Sequence, residues 1–261
     1  FCDELKMAGR IPLRPDIPDR PLDRAAGFLQ LMRNLSLAWQ FHYEYRDPLF
    51  PELARYFDPT RKQGGDNSDC VYVGAQVNGT DTYRIWGNRG SARYFSVVAV
   101  ETGKTPWGGR VAHTLFGHQI KTEPDGSFEL WVGPDPRPGN WLPTTAETRK
   151  LFLRQGFDAW DETPAQMIIE RVGMDAPRPM PTPQIMVEAM DWAGMFVTGL
   201  MRDWPDHPFQ YGAPVVRPDL PNAFPQAAND ASDQKRGRAV VHMVWRLATD
   251  EALIIEFDKD E

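Results

Sequence analysis

The sequence predicts an α+β protein: an antiparallel β-sandwich or jelly-roll-like sheet with an N-terminal helical cap and one long buried helix. Three observations carry this. Between Cys70 and Val100 apolar and polar side chains alternate with a period of two, as half-buried strands require. Between Leu22 and Trp39, and again between Gln184 and Asp203, apolar residues recur at three- and four-residue steps, as helices require. With 261 residues, 41% of them hydrophobic and 25% charged, the chain can bury one large core or two modest ones.

In chain order, Met7 to Arg20 reads as an extended arm because of its prolines. A helix follows from Pro21 or Leu22 to about Tyr45 and is ended by Asp47-Pro48. Pro51 to Phe57 reads as a short helix, and the polar hinge Asp58 to Asp69 divides a helical cap, residues 1–65, from a sheet domain, residues 66–261. The strands that begin at Cys70, Thr82 and Ser91 read as a three-strand antiparallel meander, its first turn marked by the type I′ signal Asn78-Gly79. A hairpin is expected from His118–Lys121 and Ser127–Val132 across Glu123-Pro124-Asp125-Gly126. Thr145 to Phe157 reads as a helix, with Thr144 or Thr145 as cap and Glu147 close behind. Gln166 to Val172 reads as a strand, and a proline-rich connector leads to the long helix Gln184 to Asp203. After a long irregular loop come two last strands, Ala239 to Leu247 and Ala252 to Phe257. The second ends so close to Glu261 that the sheet domain is expected to be incomplete at that end. The first residue is not Met, so residues are expected before it as well.

Composition narrows the function classes. A net charge of −7 with scattered basic residues offers no electrostatic footprint for nucleic acid. Cys2 and Cys70 cannot make a disulfide framework, and no Cys-x-x-Cys pair is present. Phe1 to Lys6 shows no basic stretch followed by an apolar run. The apolar segment Ile185 to Met201 contains Glu188 and Asp191, costly at a bilayer centre, so it reads as a helix buried in protein. A cytoplasmic protein without membrane or nucleic-acid partners is expected, and a homo-oligomer is left open. G-x-S-x-G, G-x-G-x-x-G, the P-loop and H-E-x-x-H are all absent. Neither an organic cofactor nor a metal is expected.

Four groups of residues could carry chemistry. Alternation places Arg84 beside Trp86 and Arg93 beside Phe95; if these sets share one sheet face with Tyr72 and Gln76, two guanidiniums stand among aromatics. Such a face suits an anionic group on an apolar body, because arginine offers carboxylate a planar fork. Alternatively it is a solvated outer face with arginine stems laid along rings. The hinge Gly64 to Asp69 has oxygen ligands for a hard cation but lacks calcium-loop spacing, and a turn is the simpler account. His113 and His118 lack a third metal ligand, while His118, expected at the start of a strand, could act as a general acid or base. His242 shares a strand face with Arg246. Glu188 and Asp191 could form a carboxylate pair or simply the solvent edge of a buried helix.

The segments Gly65-Asp66-Asn67-Ser68-Asp69-Cys70-Val71-Tyr72, Thr82-Tyr83-Arg84-Ile85-Trp86-Gly87-Asn88-Arg89-Gly90, Asp125-Gly126-Ser127-Phe128 and Gly139-Asn140-Trp141-Leu142-Pro143 carry a family resemblance. Together they resemble an uncharacterised bacterial family, domain of unknown function twelve-fourteen, often found beside its companion twelve-fifty-four. The resemblance implies a β-sandwich or jelly-roll-like fold with accessory helices and further sheet beyond Glu261. It implies no established catalytic set, and its usual setting is the catabolism of lipid-like, steroid-like or aromatic compounds.

On these grounds the expected function is a cofactor-independent enzyme, of lyase or hydrolase type, acting on a hydrophobic or aromatic carboxylate-like small molecule. Arg84 and Arg93 would hold the anionic group. Tyr72, Trp86 and Trp141 would line the pocket, with His242 and Arg246 contributing, and His118 or Asp66 would move a proton. The alternative is a non-catalytic ligand-binding or assembly module that uses the same face.

Overall fold

The structure is a computed structural model and describes residues 1–61, 66–103, 109–206, 222 and 246–256. It divides into a unit of residues 1–206 and a second of residues 207–261.

The first unit opens with α1 (Cys2–Arg10), where an extended arm was expected to begin. Acidic Asp3 and Glu4 in its first turn and Arg10 in its last complement the helix dipole. The proline-rich stretch after it supplies only a single 3-10 turn, Ile11–Leu13. The expected second helix is α2 (Pro21–Trp39), opened by proline at its first position. It runs on through a π-helical turn, Gln40–Glu44, in which the Tyr45 amide reaches back to the Gln40 carbonyl at 2.8 Å. Residues expected as a short helix form instead the edge strand β1 (Ala54–Phe57).

The remaining strands are β2 (Cys70–Gln76), β3 (Tyr83–Asn88), β4 (Tyr94–Glu101), β5 (Val111–Phe116), β6 (Ser127–Gly133), β7 (Asn140–Pro143), β8 (Thr148–Gly156) and β9 (Gln166–Arg171). They form a five-stranded sheet of order β1-β2-β8-β4-β5 and a four-stranded sheet of order β7-β6-β3-β9. All pairings are antiparallel except β6 with β7. The first core lies between the sheets. Ala75, Phe95, Val97, Leu151 and Leu153 from one meet Tyr83, Ile85, Leu130, Val132 and Ile169 from the other. This is an α+β sandwich.

Three corrections follow from the strand assignments and their pairing. The expected meander does not exist, because β2 and β4 both flank β8 while β3 lies in the other sheet. Asn78-Gly79 therefore carries the chain between sheets rather than closing a hairpin. The expected helix Thr145 to Phe157 is β8, whose Leu151, Leu153 and Gln155 are buried at alternating positions. Likewise His118 and Ser127 do not start a hairpin. His118 lies in the 3-10 turn Gly117–Gln119 that follows β5.

The long helix is α3 (Pro183–Asp206), as expected. A second core joins α1, α2 and α3 through Ala8, Leu37, Ala38, Phe41, Ala193, Val197 and Leu200, and reaches the sheet at Ala54 and Tyr56. Tyr56 stacks on Phe41 with ring centroids 4.0 Å apart and leans over Gly74, where a Cβ would lie 2.3 Å from its ring. Its fully buried hydroxyl has no hydrogen-bond partner, and burial pushes its pKa up.

In the second unit the Asn222 side chain brackets Arg246, donating to its carbonyl and accepting from its amide, both at 2.7 Å. Of the two expected last strands, residues 239–245 and 257 lie outside the described residues, and 252–256 are not a strand.

Candidate functional site

The structure separates the residues that alternation was expected to gather. Arg84, Trp86 and Trp141 do come together, on the outer face of the four-stranded sheet. There Arg84 stands opposite both Trp131 and Glu170, and Trp131 pairs with Trp141. The Arg84 guanidinium is not free for a ligand. It binds Glu129 at 2.5 Å, lies 3.5 Å from Glu170, and sits 4.9 Å from the Trp86 ring centroid. Arg137 lies over Trp131 at 4.6 Å. This is a solvated face with two arginines laid on tryptophans, Arg84 being neutralised by carboxylates as well. Arg84→Ala is expected to leave the urea midpoint within the scatter of ordinary surface substitutions.

Arg93 is mostly exposed and pairs with Asp158, away from Arg84. Phe95 and Tyr72 do not share the Arg84 face: Phe95 is in the core, and Tyr72 belongs to the other sheet. His118 is exposed and stacks on Phe116 at 5.8 Å. His242 lies outside the described residues, and Arg246 belongs to the second unit. Trp141 donates its indole N–H to the Gly133 carbonyl at 3.1 Å. Asp66 lines a cavity of about 40 Å³ with Arg55, Phe57, Asp58, Pro59, Ser68 and Cys70. That space holds water but not an aromatic acid.

A different constellation forms on the outer face of the five-stranded sheet. Across antiparallel strands, residues directly opposite one another share a face. Arg154 on β8 stands between Tyr72 on β2 and Ser96 on β4. In the next row Gly156 stands between Cys70 and Tyr94, and in the row on the other side Phe152 stands between Gly74 and Val98. The glycine keeps the floor low, since any Cβ there would press on Tyr94 Cβ at 3.3 Å and approach Cys70 Sγ at 3.6 Å.

The Arg154 guanidinium lies 4.9 Å from the Tyr72 ring centroid. Tyr72 is 4% exposed and held by Phe57 and Phe152 at 5.2 and 5.9 Å. Its hydroxyl accepts the Asn67 amide at 3.0 Å, which ties the hinge to this face. Tyr94 donates its hydroxyl to Ser96 at 3.1 Å. Arg154 Nε is buried and has no hydrogen-bond partner, and no carboxylate pairs with the guanidinium among the described residues. A buried donor without an acceptor is costly, and in a cation more so. Burial holds both the Cys70 thiol and the Tyr72 phenol above their usual pKa values, so both stay protonated near neutrality. The face thus holds a cation among ring surfaces, and neither the thiol nor the phenol beside it is poised to act as a base near neutral pH. Among the described residues no group of His, Cys, Asp and Glu is placed to hold a metal ion.

Of this constellation the sequence singled out Tyr72 but not Arg154, Phe152 or Tyr94. The signal is present, for Phe152 and Arg154 alternate with Leu151 and Leu153, but the same run also fits a helical period.

A family model described as protein of unknown function (DUF1214) matches residues 72–155, which span Tyr72 to Gln155 and so take in Arg154. Among solved structures the chain is similar to an uncharacterised protein from Burkholderia cenocepacia. The two share 34% identity with a TM-score of 0.82, over 95% of this chain and 69% of that one. A protein from Vibrio parahaemolyticus is matched at 14% identity over 64% of this chain and 42% of that one, with a TM-score of 0.30, too distant to support any argument. No curated protein matches the chain. No helix among the described residues is long and apolar enough to cross a membrane.

Proposed function

The chain belongs to the family described as protein of unknown function (DUF1214), and from that premise we propose that it is a binding protein for a small apolar anion, taken up beside Arg154. The observation that carries this is the Arg154 guanidinium, set on the Tyr72 ring with its Nε buried and unpaired. Three other arginines of the sandwich are neutralised by carboxylates: Arg84 has Glu129 and Glu170, Arg93 has Asp158, and Arg171 has Asp81. Arg154 lacks such a partner in a ring-lined setting, which suits a carboxylate carried on an aromatic or aliphatic body. The protonated thiol and phenol beside it favour binding over turnover, since neither supplies a base.

The test is thermal stabilisation by benzoate, naphthoate and laurate, with each mixture followed by mass spectrometry. Saturable stabilisation by at least one of them without mass change is expected. Arg154→Gln should weaken that binding roughly 10- to 100-fold, the worth of a hydrogen-bonded charge. It should also leave the unliganded protein as stable as before or more so, because an unpaired buried charge is removed. Arg154→Lys should recover only part of the affinity, since an ammonium lacks the planar fork. Binding unchanged in Arg154→Gln would overturn the assignment, as would the absence of stabilisation by all three acids. A mass change would replace binding with catalysis.

A further inference from the structure

Helix α2 carries two apolar faces, and the fold buries only one. The face containing Leu37, Ala38 and Phe41 packs into the helical core. The other holds Leu22, Ala25, Leu29, Met32, Ser36 and Trp39, all exposed, and no exposed position of the helix is charged. Leu22 is 78% exposed, Leu29 50%, Met32 59% and Trp39 38%. A solvent-facing helix surface normally reverses this pattern, with charged residues outward.

The spacing of these six residues is 3-4-3-4-3, which is the seam of a two-helix coiled coil over a length of about 26 Å. We infer that a second copy of this chain covers the seam, with the two α2 helices packed antiparallel about a two-fold axis.

The stripe is self-complementary under that operation. Centring the axis between Leu29 and Met32 sets Leu29 against Met32 of the other copy, small Ala25 against small Ser36, and Leu22 against Trp39. Opposed helix dipoles favour this orientation over the parallel one. No like charges meet, because Arg33 faces Phe28 in the same register and Asp23 and Arg24 lie round the helix. Trp39 is held in place by Tyr43, whose ring is 4.8 Å away. With Phe28 beside it, the stripe offers on the order of 500 Å² of apolar surface, toward the upper end of the roughly 300–600 Å² patches of monomers. That is more than half of the roughly 800 Å² per partner of a standard interface.

Sedimentation of the 261-residue chain over a concentration series tests the pairing. A mass of twice the chain is expected. Leu29→Glu and Met32→Lys, each on the exposed side and so without effect on the circular dichroism or melting of the fold, should each weaken dimerisation at least about 100-fold. The double variant should regain the dimer in a salt-sensitive form. In the antiparallel register the introduced charges face opposite charges, whereas a parallel pair would set like against like. A wild-type chain that stays monomeric throughout overturns the inference, as does a dimer indifferent to both single variants. Failure of the double variant to recover overturns the antiparallel register.

Discussion

Gly79→Ala is expected to destabilise the fold by about 3 kcal/mol or more, a large fraction of the stability of an ordinary domain. Gly79 lies where the chain leaves the five-stranded sheet for the four-stranded one. A Cβ there would sit 1.8 Å from the Thr145 carbonyl oxygen and 2.9 Å from Thr148 Cβ. The obstacle is backbone, so no rotamer change relieves it. The backbone is also held from both sides: the Gly79 amide donates to the Thr148 carbonyl at 3.0 Å, and the Thr144 hydroxyl donates to the Gly79 carbonyl at 2.7 Å. To admit a methyl group, the turn that starts β8 must move, and with it the central strand of the five-stranded sheet. Urea titration of Gly79→Ala beside Gly9→Ala checks this. A Cβ on Gly9 would touch only Leu31, at 3.9 Å, and that change in α1 should be neutral or slightly stabilising. Equal midpoints for the two variants would refute the crossing.

Gly79 also illustrates what the sequence could and could not disclose. Asn78-Gly79 is a genuine turn signal, and the strands on either side of it begin and end close to where alternation places them. Turn chemistry is local, however, and says that the chain bends, not which sheet it enters afterwards. The strands β2 and β4 are joined through β8, which begins only at Thr148, far beyond both in sequence. Nothing between Cys70 and Val100 could reveal that partner. The error at β8 had a different origin. Leu151, Phe152 and Leu153 are all apolar because β8 is central and its outer face is lined as well as its inner one, so period two was blurred. With Thr144, Thr145 and Glu147 imitating a helix cap in front, the helical period won. At α1 the apolar Leu5 and Ala8 were too few to outweigh the prolines that follow. The long helices α2 and α3 were legible because their periodic apolar runs are long.

The candidate site inherits these causes. Tyr72 was visible on a correctly placed strand, and its partner Arg154 was hidden by the misread one. Arg84 and Trp86 were placed correctly side by side, yet their neutralisation by Glu129 and Glu170 depends on pairings with β6 and β9 that alternation alone does not supply. The π-helical turn after α2 escaped for a third reason. It inserts one residue into the helical ladder, and no sequence period marks it.

That turn sets up the second large effect, a loss of stability on mild acidification that is traceable to one imidazole. His42 lies within the turn, its ring stacked 6.1 Å from Trp192 and edge-on to Phe196 at 4.9 Å. Its Nε2 is buried without a partner. Burial, and then the Arg46 charge, lower its pKa to about 4. The facing helix carries Glu188, which lies 3.6 Å from Arg46, and Asp191, which pairs with the Phe1 amino group, and neither reverses that shift. In the unfolded chain an imidazole titrates near 6.5. Between these two values the unfolded state binds the proton and the folded state does not, so stability must fall as pH falls through the window. The contribution is fully present above about pH 6.5 and is lost by about pH 4, amounting to roughly 3 kcal/mol in all and about 2 kcal/mol between pH 7 and pH 5. Carboxylates that the fold holds low, such as Glu101 beside Thr145 and Arg110, lose their contribution at lower pH, starting from the ordinary carboxylate range. The two effects therefore separate along the pH axis. His42→Phe keeps the aromatic packing and removes the proton. Its urea midpoint should be nearly level from pH 7 to pH 5, whereas that of the wild type declines. Equal slopes in the two proteins would place the acid sensitivity elsewhere than in the turn.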